Sequence, residues 1–174
     1  MKISRGKTIP ITLGQCPIYL ILKENWRLQM DIKIREVRES DYSEIVTIWN
    51  NDLGSPNVNL DNISERITRM KKDGNYKIFV ALFENNVAGC ISVVQTMALE
   101  YEVGYLKING LAVRGKFQKK GIGSKLLKHA EDYALDKGLS YLILNTGFQR
   151  TEAHHFYESK GYDKLSYCFT KKVH

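Results

Sequence analysis

The chain has 174 residues, 43% of them hydrophobic and 26% charged, with a formal net charge of +7. A single domain of that length buries roughly 70% of its unfolded surface without disulfides or metal, and the composition excludes disorder, collagen-like repeats and coiled coil as descriptions of the whole. The longest apolar run, residues 17–22, is far short of the roughly 20 residues a membrane-spanning helix needs; the sequence predicts a cytoplasmic protein with no membrane span.

More than half of the net charge precedes Met30, where Lys2, Arg5, Lys7, Lys23 and Arg27 stand against Glu24 alone. The remainder is only mildly basic, which argues against a nucleic-acid partner. Cys16, Cys90 and Cys168 form no C-x-x-C pair. They read as reduced thiols in a cytosol, and no metal site is expected.

Residues 1–29 lack periodicity and carry Pro10 and Pro17. Thr12, Gln15 and Pro17 break the apolar core a secretory signal would need, and no small-residue cleavage site follows. The segment reads as an extension outside the core. Trp26-Arg27 two codons before Met30 would encode TGGAGG if the arginine codon is AGG, a translated ribosome-binding site with Met30 as the true start. The domain is then 30–174.

From Met30 the pattern alternates. Ile32, Ile34 and Val37 predict a strand over 32–38, and Ser40-Asp41 a cap for a helix that presents Tyr42, Ile45, Val46, Ile48 and Trp49 and stops at Leu53-Gly54-Ser55-Pro56. A second helix over 60–73 places Ile63, Ile67 and Met70 on one face and ends at Gly74. Strands over 76–83 and 87–96 flank Glu84-Asn85-Asn86, a hairpin turn. A third long strand over 103–113 feeds a glycine-bearing loop and a helix over 121–137. A short strand over 141–145, a helix over 151–160 and a last strand over 162–170 complete the order β-α-α-β-β-β-α-β-α-β. That order predicts an α/β fold with a mixed sheet.

The chemistry concentrates where Leu111-Ala112-Val113 leads into Gln118-Lys119-Lys120-Gly121-Ile122-Gly123-Ser124. A helix N-terminus offers free N–H groups and about half a positive charge to phosphate oxygens. Gly121 and Gly123 let backbone approach a pyrophosphate, and Lys119, Lys120 and Lys125 add charge. Neither a dinucleotide G-x-G-x-x-G nor a nucleotide G-x-x-x-x-G-K-[ST] loop is present. Ile122, Leu126, Leu127, Ala130, Tyr133 and Ala134 form the stripe that docks this helix.

Residues 118–123 resemble the [QR]-x-x-G-x-[GA] acyl-CoA loop of the GNAT superfamily, the Gcn5-related N-acetyltransferases. About thirty residues on, Ala153-His154-His155-Phe156-Tyr157-Glu158-Ser159-Lys160-Gly161-Tyr162 resembles that family's A-x-x-F-Y-x-x-x-G-[FY] segment. The resemblance runs from Ile32 to about Val173. It implies a mostly antiparallel sheet of six to seven strands flanked by about four helices, with a strand pair that splays for acyl-CoA and no metal.

The resemblance further implies acetyl-CoA as co-substrate, held by backbone at Leu111, Ala112 and Val113 and by residues Gln118 to Ser124. Tyr157 matches the tyrosine that protonates the departing thiolate. Arg150 stands where the common motif has Asn, and could meet a CoA phosphate, the pantetheine or only solvent. Relatives often carry Glu close before the Leu-x-Val segment. Here Lys107 and Asn109 are found instead, so Glu100 or preferably Glu102 is the nearest carboxylate for a base.

Cys90 and Cys168 lie on expected strands and read as packing residues. The acceptor, a small-molecule or peptide amine, is expected against the first two helices and residues 53–56, with Tyr101, Tyr105 and the last strand. Asp52, Asp61 and Glu65 are acids that could draw a cationic amine. Direct transfer to a primary amine is the leading reading. The alternatives are a toxin acetylating aminoacyl-tRNA and a non-catalytic acyl-CoA-binding module. A homodimer is compatible with the fold, with no face indicated.

Overall fold

A computed structural model describes residues 32–173; the reading of residues 1–29 lies outside this span. Five strands form one sheet in the order β1 (Lys33–Glu36), β2 (Tyr76–Phe83), β3 (Asn86–Ala98), β4 (Tyr101–Val113) and β5 (Leu142–Leu144). The first four are antiparallel neighbours, and β5 runs parallel to β4. A parallel step requires a crossover, supplied by the helix over Ile122–Asp136.

Before β2 come α1 (Tyr42–Thr47), which continues into a π-helical turn at Ile48–Asp52, and α2 (Leu60–Asp73). The long crossover helix is α3 (Ile122–Asp136), and α4 (Thr151–Glu158) follows β5. Asn59 caps α2 by accepting from the Asn62 amide, and Gly74, at φ 82°, ends it. Glu84 and Asn85 sit at φ 51° and 62°, the paired left-handed residues that a tight β2–β3 turn needs.

The sheet separates two cores. On one face α3 and α4 cover Phe79, Ala81, Ile91, Val93, Leu106 and Ile108, into which α3 drives Ile122, Leu126, Leu127 and Ala130. On the other, α1 and α2 bury Ile45, Ile48, Ile63 and Ile67 against Ile78, Val80, Cys90 and Ala112. Alternation along each strand sends neighbours to opposite cores. In β4 the switch of face is interrupted between Ile108 and Gly110, where one residue is added opposite the Ser92/Val93 step. This bulge puts Leu111 and Val113 on the α3 face and Gly110 and Ala112 on the α1–α2 face.

Two sequence expectations are corrected. The strand expected over 162–170 is absent: residues 163–173 join no strand, and Leu165, Tyr167 and Phe169 are exposed. Period-two alternation records a local pattern, whereas a strand needs a ladder partner, and that is a tertiary property. The described sheet therefore has five strands rather than six or seven. Cys168, expected in strand packing, is likewise exposed and accepts a hydrogen bond from Asn145 Nδ2 at 3.4 Å. Cys90 is buried as expected, and desolvation raises its thiol pKa to about 12, which leaves it inert at neutral pH.

Candidate active site

The β4–β5 ladder ends at Ile108 and Leu144, whereas β4 continues to Val113. From Asn109 to Val113, β4 is paired only on its β3 side. The loop that follows is tied down at several points. The Arg114 amide donates to Ala88 O at 2.9 Å, and the Arg114 guanidinium pairs with Glu44. The Gly115 amide donates to Asp52 Oδ1 at 2.9 Å, and Gln118 Nε2 donates to Val113 O at 3.1 Å.

Lys119 at φ 60° and Gly121 at φ 79° then turn the backbone into the start of α3. Gly121 is its N-cap and offers no side chain to the first-turn amides, so those donors are left to the loop's open side. Lys119 and Lys120 are exposed there, and Lys120 Nζ lies 5.2 Å from the centre of the Phe83 ring.

Gly123 joins the two sequence motifs. A Cβ built on it would meet Phe156 Cζ at 3.5 Å, Val113 Cγ2 at 3.6 Å and Leu111 Cδ2 at 3.8 Å. These are ordinary contacts, so packing alone does not require glycine. The open edge of β4, the start of α3 and α4 thus meet at Gly123. Uncapped amides and exposed lysines beside that meeting point suit a phosphorylated group.

Tyr157 follows Phe156 on α4, with ring centres 5.2 Å apart, and lies 5.7 Å from the Tyr162 ring. Burial raises its phenol pKa, and the nearby Arg150 charge partly offsets this. The proton is held at neutral pH, as an acid requires. Tyr162 donates to Glu131 Oε1 at 3.3 Å, which with burial holds its phenol well above the ordinary range.

The site residues expected from sequence divide into groups. Leu111, Val113, Gly123 and the Phe156-Tyr157 pair converge, and Gln118, Lys119, Lys120, Gly121, Ile122 and Ser124 form the adjoining turn, with Ile122 turned into the core. Ala112 instead packs its side chain in the α1–α2 core, leaving only its backbone on the strand. Arg150, just before α4, donates to Leu53 O and so ties α4 to the α1–α2 linker. Glu102 is exposed near the β3–β4 turn. It lies six residues before Ile108, where the open edge of β4 begins, roughly 20 Å at the usual rise. Nearness in sequence therefore does not bring this carboxylate to the splay.

The first helix and residues 53–56 were expected near the acceptor, but one contact of theirs was not foreseen. Trp49, from the π-helical turn, and Leu53, just after it, close on Gly110: a Cβ there would come within 2.9 Å of Leu53 Cδ2 and of Trp49 Cη2. A glycine inside a strand signals such an approach, but not its partner. The π turn inserts a residue into the helix, and Asp52 at its end accepts from Gly115. Among the described residues no group of three or more His, Cys, Asp or Glu could hold a metal, and no helix is long and apolar enough to cross a membrane.

The model of the acetyltransferase (GNAT) family matches residues 34–162. The chain belongs to this family. It is an N-acetyltransferase, and its relatives agree. It is 30% identical over 117 residues to the uncharacterized N-acetyltransferase YhdJ of Bacillus subtilis (strain 168), covering 67% of this chain and 82% of that protein. It is 33% identical over 101 residues to the aminoalkylphosphonate N-acetyltransferase of Salmonella typhimurium, covering 58% of this chain and 66% of that one. Among solved structures, one described as a transcriptional regulator from Bacillus halodurans C-125 superposes with a TM-score of 0.74 at 27% identity, covering 82% of the acetyltransferase and 99% of that chain.

Proposed function

We propose that this acetyltransferase moves an acetyl group from acetyl-CoA directly to the primary amine of a small molecule. The observation that carries the reading is the meeting of Gly123, Leu111, Val113 and Phe156 with Tyr157 next along the helix. The residues 118–124 turn receives the pyrophosphate, and the open edge of β4 over 109–113 pairs with the pantetheine. Arg150, anchored at Leu53, adds positive charge beside the donor.

In the transfer, the neutral amine attacks the thioester carbonyl carbon; an N–C bond forms and the C–S bond breaks. The Tyr157 phenol gives its proton to the leaving sulfur, and its raised pKa keeps that proton available through neutral pH. An alkylamine with pKa near 10 must first lose a proton. With Glu102 remote, water carries that proton away and returns one to the phenol.

An acceptor that is a small amine agrees with the Salmonella relative, whose name states an aminoalkylphosphonate acceptor. The test is a thermal-shift titration with acetyl-CoA, with dephospho-CoA and ATP as controls, followed by thiol release across an amine panel. Stabilisation by acetyl-CoA and thiol release with at least one amine are expected. A folded protein that acetyl-CoA does not stabilise would overturn the reading.

A further inference from the structure

We infer that Lys107 selects an acceptor carrying an oxyanion, a phosphonate, phosphate or carboxylate, a few bonds from the amine that is acetylated. The inference rests on the proposed donor site and deepens it. With the phosphorylated end of the donor at residues 118–124, its arm runs back along the open edge of β4 from Val113 toward Asn109. Those five residues span about 16 Å, and the edge closes where β4 rejoins β5 at Ile108 and Leu144. The reactive carbonyl therefore arrives at the apex of the splay, one residue from Lys107.

Lys107 stands on the acceptor face at that apex. Its neighbours Leu106 and Ile108 are buried in the α3 core, so alternation turns Lys107 to the opposite face, where the bulge also places Gly110 under Trp49 and Leu53. It is half-buried, and its register partners on β3 and β5 are Val94 and Ile143. Neither is a counter-charge.

Among the described residues Lys107 forms no ion pair. Three acids on this side are engaged elsewhere. Glu44 binds Arg114, Asp41 binds Arg35 in two hydrogen bonds, and Asp52 accepts from Gly115. Asp61 and Glu65 are exposed on α2, with Glu65 paired to Arg69. An ammonium on a half-buried stem, with no carboxylate paired to it, repels a polycationic amine and attracts an anion beside the reaction centre. Its single point charge suits either a tetrahedral or a planar oxyanion.

The experiment compares 2-aminoethylphosphonate and β-alanine with propylamine and kanamycin, in the wild type, Lys107→Gln and Lys107→Glu. Turnover is read as thiol release, and binding of each amine is read by calorimetry in the presence of CoA. The wild type is expected to favour the anionic amines. Lys107→Gln should lose about tenfold to a hundredfold of that preference, the range of one charge-assisted hydrogen bond, and Lys107→Glu should reverse it. Stabilisation by acetyl-CoA should be equal in all three. An unchanged preference in Lys107→Gln, or a wild type that favours kanamycin or binds no anionic amine, would overturn the inference while leaving the donor site standing. Loss of acetyl-CoA stabilisation in the wild type would instead strike the proposed function itself.

Discussion

The two faces of the sheet are built by different means. The α3 face is an apolar stripe on a helix with no side-chain cap, and apart from Tyr157 on α4 the parts proposed to work there are backbone: a left-handed turn, helix N-terminal amides and an open strand edge. The α1–α2 face is held by side chains reaching between elements: Asp52 to Gly115, Arg150 to Leu53, Glu44 to Arg114 and Asn50 to Val58. A backbone site tolerates little change in local sequence, because its geometry comes from glycines and helix ends. A side-chain site can be retuned one residue at a time. The difference suits an enzyme whose donor is fixed and whose acceptor varies.

Gly123→Asp tests the backbone face most sharply. The added Cβ makes only ordinary contacts, and a melt without ligand checks that the carboxylate beyond it leaves the fold intact. A carboxylate beside the phosphate end should abolish stabilisation by acetyl-CoA, about 2.7 kcal/mol at a hundredfold excess over Kd. A normal shift in a calorimetric melt would break the assignment of that face.

Tyr157→Phe should lower kcat about a hundredfold while leaving acetyl-CoA affinity intact. The wild-type rate should hold until pH exceeds the ordinary tyrosine value near 10, because burial raises the phenol pKa. Unchanged kcat in steady-state assays would remove the acid from Tyr157.

Gly110→Ala probes the other face. Its Cβ would meet Trp49 and Leu53 at 2.9 Å, an overpacking that costs about 1–3 kcal/mol. KM for the amine should rise and that for acetyl-CoA should not. Equal changes in both would mean that the two faces are not separable.

The smallest effect concerns the Arg35–Asp41 pair under the α1–α2 face. Its bidentate partner chiefly, and the Arg38 amide, hold the buried Asp41 carboxyl below its ordinary pKa against the opposing cost of burial. That stabilisation is complete above the unfolded carboxylate value near 4 and is lost as pH falls through the folded one. Asp41→Asn should lose roughly 1 kcal/mol at neutral pH and show a shallower acid limb in urea midpoints taken from pH 6 to 3. An identical limb would place the acid sensitivity elsewhere.

Much of the donor side is legible in the sequence because its signals are local. Gly121, Gly123 and the stripe from Ile122 to Ala134 fix a turn and a helix before any tertiary contact forms, and Phe156-Tyr157 sits in a second local pattern. The acceptor side was legible only as an address. Residues 53–56 and Asp52 were expected there, but the seating of Trp49 on Gly110 depends on a π turn whose extra residue no periodicity announces. Glu102 is not brought to the splay, because six residues of strand cover roughly 20 Å.

The sequence by itself determined the order of elements through α4, the family and the turn that leads into α3, since capping, turn chemistry and hydrophobic period act within a few residues. Tertiary structure decided the rest. Pairing ended the β4–β5 ladder at Ile108, left residues 163–173 outside the sheet, and turned Lys107 to the acceptor face. Each of these depends on which distant strand supplies a partner, and that choice is made by the packed sheet as a whole.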